Sequence, residues 1–184
     1  MTAVPDNQRA AFEAAALPCA AAVHRFAFRL TRDPDSAADL MQEVFLRAYR
    51  SFADFQPGTD CRAWLFAIAY SVFINTYRKD RRAPQMAELR DEVAEDLSSI
   101  EWNVRPDVWT RARIEEALLD LPEPIRVVVV LVLVEELTYE EAAKVLGCPL
   151  GTVRSRLFRG RRALFSALHA QAAEGGLLPI ARKP

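Results

Sequence analysis

The sequence predicts an all-α protein: two small helical domains joined by an acidic linker, the C-terminal one containing a helix-turn-helix. Three observations point there. Apolar residues recur at spacings of three and four along most of the chain, the period of a helix. The run TYEEAAKVLGCPLGTVRSRLFRGRRAL at 138–164 reads as two helices with a tight turn between them. Charge is also segmented. Residues 13–84 hold 10 Lys+Arg against 8 Asp+Glu, residues 85–109 hold 2 against 7, and residues 110–184 hold 11 against 9.

The chain has 184 residues, 51% hydrophobic and 27% charged, enough for one medium domain or two small ones. Its net charge of −1 lacks the overall basic signature of a nucleic-acid binder, so any such surface has to be local. Cys19, Cys61 and Cys148 form an odd set without metal-ligand spacing, and His24 and His169 stand alone. They read as reduced thiols of a cytoplasmic protein, with no disulfide frame, no metal and no cofactor. No signal peptide is visible, and the longest apolar run, Val127–Val134, is too short to enter and span a bilayer.

Residues 1–10 read as a loose tail. Phe12, Leu17, Val23, Phe26 and Leu30 mark a first helix, with Pro18 as a kink or a late start. Asp33 is a cap and Pro34 suits the first helical position, where an N–H has no partner. The helix from Pro34 to about Ser51 has two faces. Met41, Val44, Phe45, Ala48 and Phe52 form the inner one. Asp39, Gln42, Glu43 and Leu46, at i, i+3, i+4 and i+7, form an outer one that alone reads as a wet face.

PGT at 57–59 is a turn, and Asp60 caps a helix from Cys61 to about Asp80. Leu65, Ile68, Ala69 and Val72 give it one apolar side, and Phe66, Tyr70, Phe73 and Tyr77 a second, aromatic one. A helix apolar on both sides is a buried one. Its end differs: Ser71, Asn75, Arg78 and Lys79 are polar, and Arg81 and Arg82 follow. Rings interleaved with amides and cations suit single-stranded DNA, whose bases stack while its backbone is held.

Pro84 breaks that helix, and the acidic stretch at 85–109 follows, with Trp102 and Trp109 unusual for a linker. A helix from about Thr110 carries Ile114, Ala117, Leu118 and Leu121 on one face. IRVVVVLVLVEEL then has the composition of a buried strand. No second strand is available to pair with it, and a lone strand leaves its backbone groups unsatisfied. The residues alone leave strand and helix both open, and with the resemblance given below a buried helix from Pro124 to near Glu136 is expected.

Thr138 caps the next helix, and Glu141 three residues on completes a capping box. Gly147 supplies a left-handed stop, Cys148 a second cap, and Pro149 a first helical position. In the helix that follows, Val153, Leu157, Leu164 and Leu168 form the buried stripe. At roughly 100° per residue, Arg154, Ser155, Phe158, Arg159 and Arg162 fall opposite, with Arg156 and Arg161 on the flanks. Five arginines and no acid lie between Pro149 and Phe165. A solvated helix face mixes both signs. This one fits a major groove, with flanking arginines on phosphates and outward side chains on base edges. A basic face set beside the acids Glu140 and Glu141 is the plainer alternative.

GCPLGTVRSRLFRGRRAL resembles the promoter-reading helix of sigma-70-type initiation factors, specifically the extracytoplasmic-function (ECF) group. ADLMQEVFLRAY resembles the segment with which those factors grip core RNA polymerase, and the 61–80 helix the segment that captures the melted −10 strand. The resemblance implies contacts to polymerase from Asp39, Gln42, Glu43 and Leu46. It implies base contacts from Ser71 and Asn75 and backbone contacts from Arg78, Lys79 and Arg81. In the −35 duplex it implies contacts from Arg154, Ser155, Arg156, Phe158, Arg159, Arg161 and Arg162. Residues 11–84 would then be the region 2 domain, 85–109 the linker and 110–174 the region 4 domain.

The implied partners are core RNA polymerase, promoter DNA and an anti-sigma protein. GTDCRAWLFAIAYSVFINTYRKDRR and GLLP resemble a branch that answers thiol oxidation and is restrained by a zinc-containing anti-sigma protein. Three rivals remain. A one-component repressor needs a dimer interface and gives no reason for the 61–80 helix. A protein-binding adaptor leaves the unmixed arginine face unexplained. An enzyme would need a nucleophile–base pair, phosphate loop or metal constellation that the sequence does not display.

Overall fold

Every regular element among the described residues is helical. The computed structural model describes residues 6–56, 58–80 and 110–174, with side chains at 8–56, 58–76 and 110–171. The linker at 85–109 with Trp102 and Trp109, the break at Pro84, and the tail beyond 174 with its GLLP lie outside the described residues.

In the N-terminal half, α1 (Asp6–Ala16) begins inside the stretch expected as a loose tail. Its Phe12 is the reason: the ring packs edge-on against Tyr49 and Phe52, with centroids 5.2 and 5.3 Å away, and so fixes the helix. Pro18 sits in a 3-10 turn, Leu17–Cys19, that separates α1 from α2 (Ala20–Thr31). The proline expected as a kink or a late start therefore marks a break between two helices. α2 ends at Arg32 in a left-handed conformation, φ 60°. Asp33 then caps α3 (Pro34–Arg50), its carboxylate accepting from the Ser36 N–H at 2.8 Å.

Phe52, Phe55 and Trp64 continue the aromatic cluster into the loop before α4 (Cys61–Asp80). Asp60 caps α4, its Oδ1 accepting from the N–H groups of Arg62 and Ala63 at 2.8 and 3.3 Å. Leu65, Phe66, Ala69, Val72 and Phe73 are buried against Val23, Phe26, Leu30, Leu40 and Val44 of α2 and α3. Both sides of α4 are thus core over its first three turns, as its all-round apolar pattern requires.

In the C-terminal half, Thr110 caps α5 (Arg111–Asp120). Ala117, Leu118 and Leu121 are buried, but Ile114, expected on the same face, stays exposed at the rim. The valine-rich run is a helix: α6 (Glu123–Val129) passes directly into one π turn, Val130–Val134. The Glu135 N–H donates five residues back to the Val130 carbonyl at 2.9 Å, and Glu136 adopts φ 57° to leave the helix. Val127 to Leu131 are fully buried, so tertiary burial overrides their strand propensity.

α7 (Tyr139–Leu146) and α8 (Leu150–Glu174) close the second domain against α6 and α5. The two domains touch, with α7 packed on α4 and α6 on α2. One buried core runs through both.

Candidate nucleic-acid interface

α8 follows α7, whose N-terminus is closed by a capping box. The Thr138 hydroxyl accepts from the Glu141 N–H at 3.2 Å, while the Glu141 carboxylate accepts from the Thr138 N–H at 2.8 Å. The bond from the Thr138 N–H, with a second from the Thr138 hydroxyl at 2.8 Å, holds the Glu141 carboxyl below its usual range. Gly147 stops α7 at φ 60°, and the Cys148 N–H returns to the Ala143 carbonyl at 3.1 Å. α8 starts at Leu150, one residue later than expected. The Pro149 carbonyl accepts from the Val153 N–H at 3.3 Å, so Pro149 is the residue that leads into the helix.

Val153, Leu157 and Leu168 are buried and Leu164 is partly so. Gly160 belongs to the same stripe and was missed as a packing residue. Its missing side chain lets α8 approach α6, where a β-carbon would collide with Val129. The signal was present: at helical spacing Gly160 falls between Leu157 and Leu164.

This crossing sets which side chains face outward. Arg154 and Arg162 are exposed, whereas Ser155, Arg156, Phe158, Arg159 and Arg161 are half-buried. Ser155 donates to the Thr152 carbonyl at 3.2 Å. Phe158, placed on the outward face by helical spacing, is partly covered. Burial raises the pKa of the Cys148 thiol, and the charge of Arg156 offsets only part of that rise.

On α3, Asp39 and Gln42 are exposed and Leu46 is 44% exposed. Glu43 forms an ion pair with Arg47 at 2.6 Å, one turn on. On α4, Ser71 and Asn75 are both exposed, and the Asn75 amide donates to Ser71 Oγ at 3.5 Å. The two polar groups therefore share one wet stripe. Arg78 and Lys79 lie in the last turn of α4 with side chains outside the described residues, and Arg81 lies beyond them.

Among the described residues no group of His, Cys, Asp and Glu could hold a metal, and no helix is long and apolar enough to cross a membrane. The three cysteines are unpaired thiols. Burial, with the neighbouring Cys19 thiol, pushes Cys61 up to about 11, which keeps it from the reactive thiolate form.

A family profile for sigma-70 region 2 matches residues 18–83, and one for sigma-70 region 4 matches residues 111–164. The chain is 38% identical over 152 residues to the ECF RNA polymerase sigma factor EcfG of Rhodopseudomonas palustris (strain TIE-1), covering 81% of this chain and 80% of that one. Its fold is similar to the sigma factor RpoE in complex with the anti-sigma factor NepR from Bartonella quintana. That match has TM-score 0.64 and 29% identity, and covers 83% of this chain and 93% of the other. It is also similar to CnrH in complex with the cytosolic domain of CnrY, with TM-score 0.61, 25% identity and coverage of 88% and 90%. With both sigma regions matched in order on one helical chain, this protein belongs to the ECF group of sigma-70 family RNA polymerase sigma factors.

Proposed function

We propose a division of labour between the two domains. In the N-terminal domain, residues 11–84, the stripe Asp39, Gln42, Glu43 and Leu46 docks on basic residues of core RNA polymerase. Charge pairing of this kind fixes register and speeds encounter. Ser71 and Asn75 contact unstacked bases of the −10 strand, with Arg78, Lys79 and Arg81 on its backbone. In the C-terminal domain, residues 110–174, Arg154, Ser155, Phe158, Arg159 and Arg162 meet base edges of the −35 duplex, and Arg156 and Arg161 its phosphates. The acidic linker is residues 85–109. The chain acts in the cytoplasm and does no catalysis itself; chemistry belongs to the polymerase. The similar sigma factor RpoE, co-crystallised with the anti-sigma factor NepR, supports an anti-sigma partner here too, and a zinc-containing one fits the thiol-responsive resemblance.

The observation that carries this reading is α8 itself, whose outward face and flanks carry five arginines and no acid between Pro149 and Phe165, following a well-capped α7. The test is co-purification with core polymerase followed by run-off transcription. A protein that binds polymerase and starts transcripts at defined positions supports the reading. One that binds duplex DNA alone and never joins polymerase is a repressor instead.

A further inference from the structure

A cavity of about 580 Å³ opens between α2 and the start of α5. That volume is within the range of small-molecule sites, about 300 to 1,000 Å³. On α2 its lining residues fall at i, i+1, i+4 and i+5, so His24 stands beside Phe28 and Arg25 beside Arg29 on one face. The floor is apolar and neutral. Phe28 is half-buried and packs on the core. Arg29 is 6% exposed, and Glu115 of α5 answers its charge with two parallel bonds, Nε–Oε1 at 2.9 Å and Nη2–Oε2 at 2.8 Å. Both oxygens of Glu115 are thereby engaged.

The rim is cationic. His24, Arg25 and Arg111 are exposed, and among the described residues Glu115 is the one acid that lines the cavity. Arg111 and Ala112 are also the first two residues of α5. The Thr110 side chain accepts from the Arg113 N–H at 3.4 Å, but the N–H groups of Arg111 and Ala112 have no acceptor inside the helix. They carry the positive end of its dipole. Two guanidinium groups and a helix N-terminus therefore meet at one opening, above an aromatic floor.

Each half of this lining excludes a simpler occupant. An inorganic anion satisfies the rim but leaves Phe28 facing water. A neutral ring covers Phe28 but leaves Arg25 and Arg111 unmatched. A DNA duplex keeps its bases inside the stack, so none reaches Phe28. A flat ring with a polyanionic tail satisfies both halves. We propose that this cavity is a binding site for a nucleoside triphosphate. The base lies against Phe28 beside His24. The phosphates meet Arg25, Arg111 and the first turn of α5. The site is separate from the α3, α4 and α8 surfaces assigned to polymerase and promoter, because every residue lining it belongs to α2 or α5.

The test uses the full chain and ATP carrying a fluorescent group on its ribose, with unlabelled ATP, tripolyphosphate and adenosine as competitors. Wild type should bind the probe saturably. ATP should displace it, and tripolyphosphate and adenosine should each do so about tenfold less well, since each offers half of the recognition. Arg25→Gln and Arg111→Gln, both at exposed positions, should each weaken binding about three- to tenfold. Phe28→Leu keeps the apolar volume and removes the ring. It should weaken ATP about fivefold and leave tripolyphosphate unchanged. Should Phe28→Leu fail to fold, the arginine variants and the competitors decide. No saturable binding by wild type overturns the site. So does tripolyphosphate competing as well as ATP, which would reduce the cavity to a patch of charge. Arginine variants that bind like wild type would place the nucleotide elsewhere and also overturn it. A single-stranded oligonucleotide that displaces the probe far more effectively than ATP, and depends on the same two arginines, would make this a strand-binding groove and end the nucleotide assignment.

Discussion

Gly160 of α8 lies bare against the side chain of Val129 on α6, and a β-carbon at Gly160 would strike Val129 and come within 3.0 Å of Ile125. Val129 is fully buried within the core. Gly160→Ala should therefore destabilise by about 1–3 kcal/mol, the usual cost of overpacking. Gly151, at the start of the same helix, faces open space. Gly151→Ala should stabilise by up to about 1 kcal/mol, because alanine is the better helix former. Urea unfolding of both variants checks the pair. Equal stabilities would mean that α8 and α6 do not cross this closely.

The capping box before α8 makes a second prediction. Thr138→Ala should cost about 1 kcal/mol. The Glu141 carboxyl is held below its ordinary 4.5 by the Thr138 N–H first and the Thr138 hydroxyl second. A depressed folded pKa gives stability that is present above 4.5 and lost as pH falls through the folded value. The melting-temperature gap between wild type and Glu141→Gln should thus narrow in acid. A gap that is constant from neutral pH to well below the carboxylate range would remove this box from the account.

The α3 stripe is open to solvent, so its charge can be reversed without touching the core. The Glu43–Arg47 pair is exposed on both sides and worth at most about 1 kcal/mol. Asp39→Arg with Glu43→Arg should leave the circular-dichroism melt nearly unchanged while abolishing co-purification with polymerase. Retained binding would return this stripe to an ordinary wet face.

Ser71 and Asn75 hydrogen-bond weakly to one another at 3.5 Å and are both exposed, so alanine at either should cost little stability. Each variant should weaken opening of a duplex promoter. A template with a pre-melted bubble should relieve part of the defect, because strand separation is then already done. Normal opening by both would make the two residues structural.

Arg159 and Arg161 should fail differently. Arg159→Ala should cost about 1–3 kcal/mol and relax preference at one or two −35 positions. Arg161→Ala should weaken all sequences alike and lower the salt slope by about one unit. Binding to a library of −35 variants at two salt concentrations separates them. The same profile and slope for both would show that α8 enters the groove in another orientation.

The sequence by itself determined most of the helices, several of their caps and the two-sided character of α8. These are local effects: Asp33, Asp60, Thr138 and Gly147 act on backbone groups within a few residues. The arginine face of α8 was legible for the same reason, since helical spacing alone sorts Arg154 from Val153. Tertiary structure decided what depends on partners distant in the chain. Phe12 orders α1 only because Tyr49 and Phe52 wait across the bundle. The valine run becomes α6 and a π turn because burial outweighs propensity. Arg29, Glu115, Glu135 and Arg62, paired across the two domains, look in sequence like ordinary surface charges. Their burial at a single seam follows from how two domains dock, and no local pattern encodes which charges such docking removes from water.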